Sequence, residues 1–158
     1  MNDLKKILKE KILIMDGAMG TMIQSLNLKE SDFRGQRFIN HPLDQFGNND
    51  ILNLTKPEII KEIHQSYIEA GANIIGTNTF SSNSISQSDY RMENHIYEIN
   101  FSAANIAKSA VSKYRDSKVF VAGSIGPTNR TASLSPDINK PDYRNISFDE
   151  LKDAYYVD

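Results

Sequence analysis

The feature that most constrains this fold is a repeat in which a short apolar run leads into polar residues and is followed by a helix. The runs lie within 12–15, 73–80 and 118–123. Apolar runs this short, without polar alternation, are typical of strands buried on both faces, as in a parallel sheet. Because crossovers between parallel strands are right-handed, all three polar ends are expected at one end of the sheet. In parallel α/β folds that end carries the ligand site.

The polar residues after these runs predict a site for a small ligand. Asp16 follows the first run, Thr77, Asn78 and Thr79 follow the second, and a rigid Gly-Pro turn at 126–127 follows the third. A carboxylate, an amide and two hydroxyls suit a small zwitterion. The alternative that the residues leave open is that the Asn and Thr residues cap a strand end and the carboxylate only shapes an Asp-Gly turn.

Helix signals lie between the predicted strands. A Thr-Lys-Pro-Glu capping box at 55–58 predicts the start of one helix, and Gly71 predicts its end. A 3.6-residue apolar period over 96–114 predicts a long second helix. A further capping box at 147–150 predicts a last helix, and the chain is expected to end inside it.

The segment 27–53 has no clear periodicity and is predicted to be a long loop. We interpret its charged and polar candidates as solvated loop residues: Arg34, Arg37, His41 and Asp50. His64 lies beside the apolar face of the first long helix, and we interpret it as a histidine at the edge of the core rather than as a ligand.

Composition excludes several classes of function. A net charge of −2 gives no electrostatic reason to expect a nucleic-acid or anionic membrane partner. No apolar run approaches the length of a membrane span. The absence of cysteine excludes disulfides and thiolate metal sites. The amino-terminal residues lack the pattern of a signal peptide, so a cytoplasmic location is expected.

Two α/β folds fit the pattern of strands and helices, a doubly wound sheet and a TIM barrel. The sequence has no G-x-G-x-x-G fingerprint, and residues 17–21 lack the lysine and the spacing of a P-loop. A complete TIM barrel needs eight strands and about 250 residues, whereas this chain has 158 residues. We therefore expect part of a larger fold.

Several separate motifs resemble those of the homocysteine S-methyltransferases and occur in the same order. They are DGAMGT at 16–21, GNND at 47–50, TNTF at 77–80 and GPTNR at 126–130. Within the family, DFRGQRF at 32–38 and TASLSPD at 131–137 are most similar to the amino-terminal homocysteine-binding module of the cobalamin-dependent methionine synthases. The resemblance implies that residues 1–158 are the first three or so βα units of an incomplete TIM (β/α)8 barrel.

The resemblance also implies which residues lie at the substrate. These are Asp16, Gly17, Ala18, Thr77, Asn78, Thr79, Phe80 and Gly126. The family acid matched by Asp16 contacts the amino group of homocysteine. The loop matched by 77–80 lies against the amino-acid end, largely through backbone amides, and the loop matched by Gly126 borders the same pocket.

The catalytic parts of the family are expected to lie outside this chain. In the full-length enzymes three cysteines from later strands hold zinc, which activates the homocysteine thiol, and methylcobalamin supplies the methyl group. This chain has no cysteine, and a second acid from a later strand is also missing. We expect no catalytic residue and no metal ligand here, and neither cofactor bound.

The expected partners are homocysteine, the missing part of the barrel, and the cobalamin and folate modules. Exposed strand edges of a partial barrel also predict possible self-association. Two alternatives to an inactive methyltransferase fragment stay open. One is a small stand-alone α/β ligand-binding module, and the other is a half-barrel that assembles with a partner.

Overall fold

Short parallel strands joined by helices form the centre of this α/β fold in the computed structural model, which describes residues 2–114 and 118–156. The strands are β1 (Ile74–Gly76) and β2 (Phe120–Ala122). The helices are α1 (Asn2–Ile7), α2 (Met19–Ser25), α3 (Glu30–Arg34), α4 (Leu52–Thr55), α5 (Pro57–Glu69), α6 (Ser84–Gln87), α7 (Ile96–Ser112) and α8 (Phe148–Tyr156). Single 3-10 turns cover Asn49–Ile51, Ser88–Tyr90 and Glu93–His95.

The strands are parallel and adjacent, as the sequence predicts. Ile75 of β1 lies opposite Val121 of β2. On the other side of β1, Met15 forms a parallel bridge with Ile74, and the Asp16 amide donates to the carbonyl of Ile74 at 2.9 Å. The three predicted strand segments therefore lie side by side in chain order, and their carboxyl ends meet at one end of the sheet.

The prediction that the first segment is buried on both faces is wrong. Ile12 is 89% exposed, and Ile14 and Met15 are also exposed, whereas Ile75 in the central strand is fully buried. Within the described residues the first segment pairs on one side only, with β1. An apolar run is buried only where another layer covers it, and that layer is a tertiary feature which the run itself does not encode.

Helices α5 and α7 pack against each other and against the sheet. Helix α5 begins at Pro57 and is followed by Gly71, whose φ of +105° confirms the predicted end of the helix. Helix α7 buries the small side chains of Ala103, Ala107 and Ala110, which let the helix lie close to its neighbours.

One predicted capping box is confirmed and the other is wrong. At the start of α8, Glu150 accepts from the Ser147 amide at 2.8 Å while Ser147 Oγ accepts from the Glu150 amide at 3.2 Å. Thr55 caps nothing, because it is the last residue of α4 and its hydroxyl donates to the carbonyl of Ile51. Thr55 therefore belongs to the separate short helix α4, which precedes Pro57, and is not the cap of α5.

His64 lies deeper in the core than the sequence predicts. It is fully buried, and neither ring nitrogen has a hydrogen-bond partner among the described residues. Burial favours the neutral imidazole and lowers the pKa of His64 to about 4. The residue acts as a neutral core side chain at physiological pH.

The segment 27–53 is more ordered than a solvated loop, so that interpretation is wrong for two of its charged residues. Arg34 pairs with Glu30 and donates to the carbonyl oxygens of His41 at 2.5 Å and Leu43 at 3.1 Å. Asp50 is buried. The Arg34 guanidinium thus holds together the turn at 41–43, which has no apolar period in the sequence.

No helix in the described part of the chain is long and apolar enough to span a membrane. Helix α8 is described from Phe148 to Tyr156. The predicted end of the chain within this helix falls at residues 157–158, outside the described residues.

Candidate functional site

Asp16 links the ends of two neighbouring strand segments. Its Oδ1 accepts a hydrogen bond from the Gly76 amide at 2.9 Å. Its second oxygen, Oδ2, forms no hydrogen bond within residues 2–114 and 118–156. Partial burial raises the pKa of Asp16, while the bond from Gly76 lowers it by a smaller amount. A half-buried carboxylate with one oxygen free can accept from a cationic ligand group.

The turn after Asp16 has an uncommon backbone conformation. Ala18 has φ 45° and ψ 36°, the left-handed region that side chains other than glycine rarely adopt, and it precedes α2. A Cβ placed on Gly17 would meet no other atom within 4 Å. The turn therefore leaves open space directly beside the carboxylate.

The threonines after β1 use their hydroxyls within the protein. Thr77 Oγ1 and Thr79 Oγ1 lie 2.7 Å apart, Thr77 Oγ1 accepts from the Ser124 amide at 2.9 Å, and Thr79 Oγ1 donates to the Ser124 carbonyl at 2.8 Å. These bonds tie the loop 77–80 to the end of β2. The hydroxyls thus position the loop rather than being free for a ligand.

The loop has backbone donors to offer instead. Within the described residues, the amides of Asn78 and Phe80 donate no hydrogen bond. The side chain of Asn78 is buried and donates to the carbonyl of Asn49 at 2.8 Å, so it is directed to the protein. Unused amides at the end of a strand are suited to an anionic ligand group.

Gly126 brings the third strand end against this loop. A Cβ built on Gly126 would lie 2.1 Å from the Phe80 carbonyl oxygen, so only glycine fits here without movement. From the other side, the Tyr155 hydroxyl donates to the Gly126 carbonyl at 2.7 Å. The turn after β2 is therefore held between Phe80 and helix α8.

A cavity of about 250 Å³ opens among these strand ends. It is lined by 15–20, 76–78, Phe80 and Ser124. A second cavity, of about 240 Å³, lies on the other side of Phe80 against α7 and α8. Only the first contains Asp16, and its volume suits a small amino acid. The structure thus brings most of the predicted site residues to one cavity, whereas Thr79 and Gly126 line the second cavity.

Sequence reasoning interpreted Asp50 as a solvated loop residue, but it is buried and lines a neighbouring cavity of about 190 Å³. Its Oδ2 accepts from the Ser81 amide at 2.7 Å and from the Ser82 hydroxyl at 2.8 Å. Burial raises the pKa of Asp50 to about 6, although both hydrogen bonds oppose the shift. The available signal was the GNND motif itself, whose acid follows a turn at Gly47 with φ +86°.

The residues of this chain do not fit a zinc site. The sequence has no cysteine, and the described residues contain no group of three His, Asp or Glu side chains able to hold a metal ion. His64 is in the core, and His95 lies against the ring of Phe38 and near Glu98. The site can therefore bind and orient a ligand but lacks the donors that activate a thiol.

Comparison with known proteins identifies structures of similar fold. Two solved structures of the homocysteine methyltransferase MmuM from Escherichia coli are similar to the chain in fold. The oxidized form has 23% sequence identity and a TM-score of 0.61, and the metallated form has 21% and 0.59. Each match covers 78% of this chain but only 40% and 41% of MmuM. The chain thus spans about two fifths of the length of these proteins.

The sequence itself gives the family. Residues 13–158 match the sequence model of homocysteine S-methyltransferases, a range that includes Asp16, the loop 77–80 and Gly126. The match covers nearly the whole chain, and the chain therefore belongs to the homocysteine S-methyltransferase family.

Proposed function

We propose that residues 1–158 are the amino-terminal portion of a homocysteine-binding TIM (β/α)8 barrel, and that this portion recognises the amino-acid end of homocysteine. The observation that carries the proposal is the Asp16 carboxylate, bonded to Gly76 through one oxygen and open at the other. Three parallel strand segments followed by helices are the arrangement expected of the first three units of such a barrel.

In this proposal each end of the amino acid has its own partner. Asp16 Oδ2 accepts from the homocysteine ammonium, and the amides of Asn78 and Phe80 donate to its carboxylate. Gly17 and Ala18 form the open turn beside the ammonium. The sulfur then points away from these residues, toward the part of the barrel that this chain does not supply.

Transfer of a methyl group to the homocysteine sulfur, which gives methionine, belongs to the whole parent enzyme. We propose a methionine synthase as that parent, with methylcobalamin as the donor, on the motifs at 32–38 and 131–137. Because the residues here do not fit zinc, this chain alone is proposed to be inactive. The cytoplasm is its proposed location.

The exposed edge of the first strand segment supports assembly with another chain. Ile12 and Ile14 are exposed, and within the described residues the backbone amides of Leu13 and Met15 donate no hydrogen bond. An apolar strand edge of this kind pairs readily with a further strand. We propose that the remaining βα units of a barrel pair here, and that a second copy of the chain competes for the same edge. A half-barrel that assembles with a partner is thus favoured over a stand-alone module.

A complementation experiment tests this proposal. We expect the purified chain to carry no stoichiometric zinc and to show no methyl transfer, because the thiol keeps its ordinary pKa near 8.5 without a metal. Adding a separately expressed segment with the remaining βα units of a methionine synthase barrel should restore both zinc and transfer from methylcobalamin. Metal analysis, a methionine assay and light scattering measure the outcome. That segment alone is the control, and one zinc per isolated chain with activity would contradict the proposal.

A further inference from the structure

The loop that carries the proposed substrate amides is tied at both ends to one short turn, residues 49–53, which comprises the 3-10 turn Asn49–Ile51 and the start of α4. At one end, Asn53 Nδ2 donates to the Asn78 carbonyl at 2.7 Å, and Asn78 Nδ2 donates to the Asn49 carbonyl at 2.8 Å. At the other end, Ser81 and Ser82 bind the carboxylate of Asp50. Residues 79 and 80 lie between these ties, so the turn sets both ends of their backbone.

The turn is itself fixed in the core. Ile51 and Leu52 are fully buried and belong to the main apolar cluster, together with Ile60 of α5. The preceding Asn48 is also buried and exchanges two hydrogen bonds with Gln87, at 2.9 and 3.0 Å. The hydrogen bonds therefore join the loop to a part of the chain that is packed in the core.

Among the residues of the turn that bond the loop or the residues next to it, Asp50 is the charged one. It is 3% exposed, and a buried carboxylate is costly unless hydrogen bonds compensate it. The bonds that it accepts come from the two residues that directly follow the loop 77–80, one from the Ser81 backbone amide and one from the Ser82 hydroxyl. Charge-assisted bonds of this kind are stronger than neutral ones, so Asp50 holds the far end of the loop more firmly than an uncharged side chain would.

We propose that Asp50 is a positioning residue for homocysteine binding, which fixes Ser81 and Ser82 and thereby sets the backbone of the loop 77–80. The inference rests on the proposed function, because it is that function which gives the loop amides a ligand. Asp50 touches no substrate atom in this proposal. It acts through the loop.

Hydrogen exchange and ligand titration on the 158-residue chain test the proposal. Asp50→Ala should speed exchange of the hydrogen-bonded amides of Thr79, Ser81 and Ser82 about tenfold. It should leave the amides of α5 and α7 unchanged and weaken L-homocysteine binding about tenfold. Asp50→Asn keeps an oxygen that can accept both bonds but loses the charge, so both values should lie between those of the wild type and of Asp50→Ala. Ser82→Ala removes one bond without touching the charge and should give a smaller effect of the same kind.

Ser112→Ala is the matched control, since Ser112 is an exposed serine at the end of α7 whose hydroxyl also donates to a backbone carbonyl. It should change neither value. Wild-type exchange in Asp50→Ala would overturn the proposal, as would faster loop exchange with unchanged affinity. If Asp50→Ala does not fold, Ser82→Ala decides by the same two criteria. A wild-type chain that binds no homocysteine contradicts the proposed function instead, and loop exchange alone then decides whether Asp50 fixes the loop.

Discussion

Asp16→Asn should weaken L-homocysteine binding about ten- to a hundredfold, because a charge-assisted hydrogen bond contributes roughly 1.5–3 kcal/mol. Asparagine keeps an oxygen for the Gly76 amide, so the turn and the strand pairing should persist. What it loses is the negative charge that faces the ammonium. Calorimetric titration of a barrel completed with the remaining βα units measures the change. Because this contact is remote from the sulfur, zinc content of the completed barrel should stay the same.

The same contact should be sensitive to pH. Partial burial raises the pKa of Asp16, and only the ionised carboxylate attracts the ammonium. Affinity should therefore be full above this raised pKa and fall as pH decreases through it, and the Asn variant should lack that step. Asp142→Asn, an exposed carboxylate in the loop before α8, is the control. If Asp16→Asn binds homocysteine as tightly as wild type, Asp16 is only a turn residue.

Gly126→Ala should destabilise the chain by about 1–3 kcal/mol, the cost of forcing extra volume into a packed site. The added Cβ would lie 2.1 Å from the Phe80 carbonyl and 2.8 Å from the Phe80 ring, so the backbone of the loop must move. Since the displaced residue carries one of the proposed substrate amides, homocysteine affinity should fall as well. Chemical denaturation and titration measure the two effects.

Gly123→Ala provides a matched control on the same strand end. A Cβ at Gly123 meets no atom within 4 Å. Neither glycine has a positive φ, so alanine brings no backbone strain at either position. Equal free energies of unfolding for the two variants would contradict the close approach between Gly126 and Phe80.

Helix boundaries that depend on neighbouring residues are predicted correctly from the sequence. The period over 96–114 gives α7, Gly71 gives the end of α5, and the spacing at 147–150 gives the start of α8. The position of Asp16 beside Gly76 follows from topology, because consecutive parallel strands end at the same place. That much of the fold and of the site was predictable.

The errors share a different physical cause. The exposure of Ile12 depends on which layers cover the first strand segment. The role of Thr55 depends on the short helix α4, which directly precedes α5 and includes this residue. Asp50 binds residues 31 and 32 positions further along the chain. A single sequence carries no periodic signal for such a tie, so a buried carboxylate was interpreted as a solvated one. Hydrogen bonds between residues far apart in the chain are therefore the part of the site that could not be predicted from the sequence.

The most direct test of the central claim is an amide chemical-shift titration of the 158-residue chain with three small molecules. They are L-homocysteine, L-2-aminobutyrate, which lacks the sulfur, and 4-mercaptobutyrate, which lacks the amino group. If the chain recognises the amino-acid end, homocysteine and 2-aminobutyrate should bind with similar affinity and shift the amides of Gly17, Gly76, Asn78 and Phe80. 4-Mercaptobutyrate keeps only the carboxylate and should bind about ten- to a hundredfold more weakly. Binding of 4-mercaptobutyrate as tight as that of homocysteine, or shifts confined to other amides, would contradict the account.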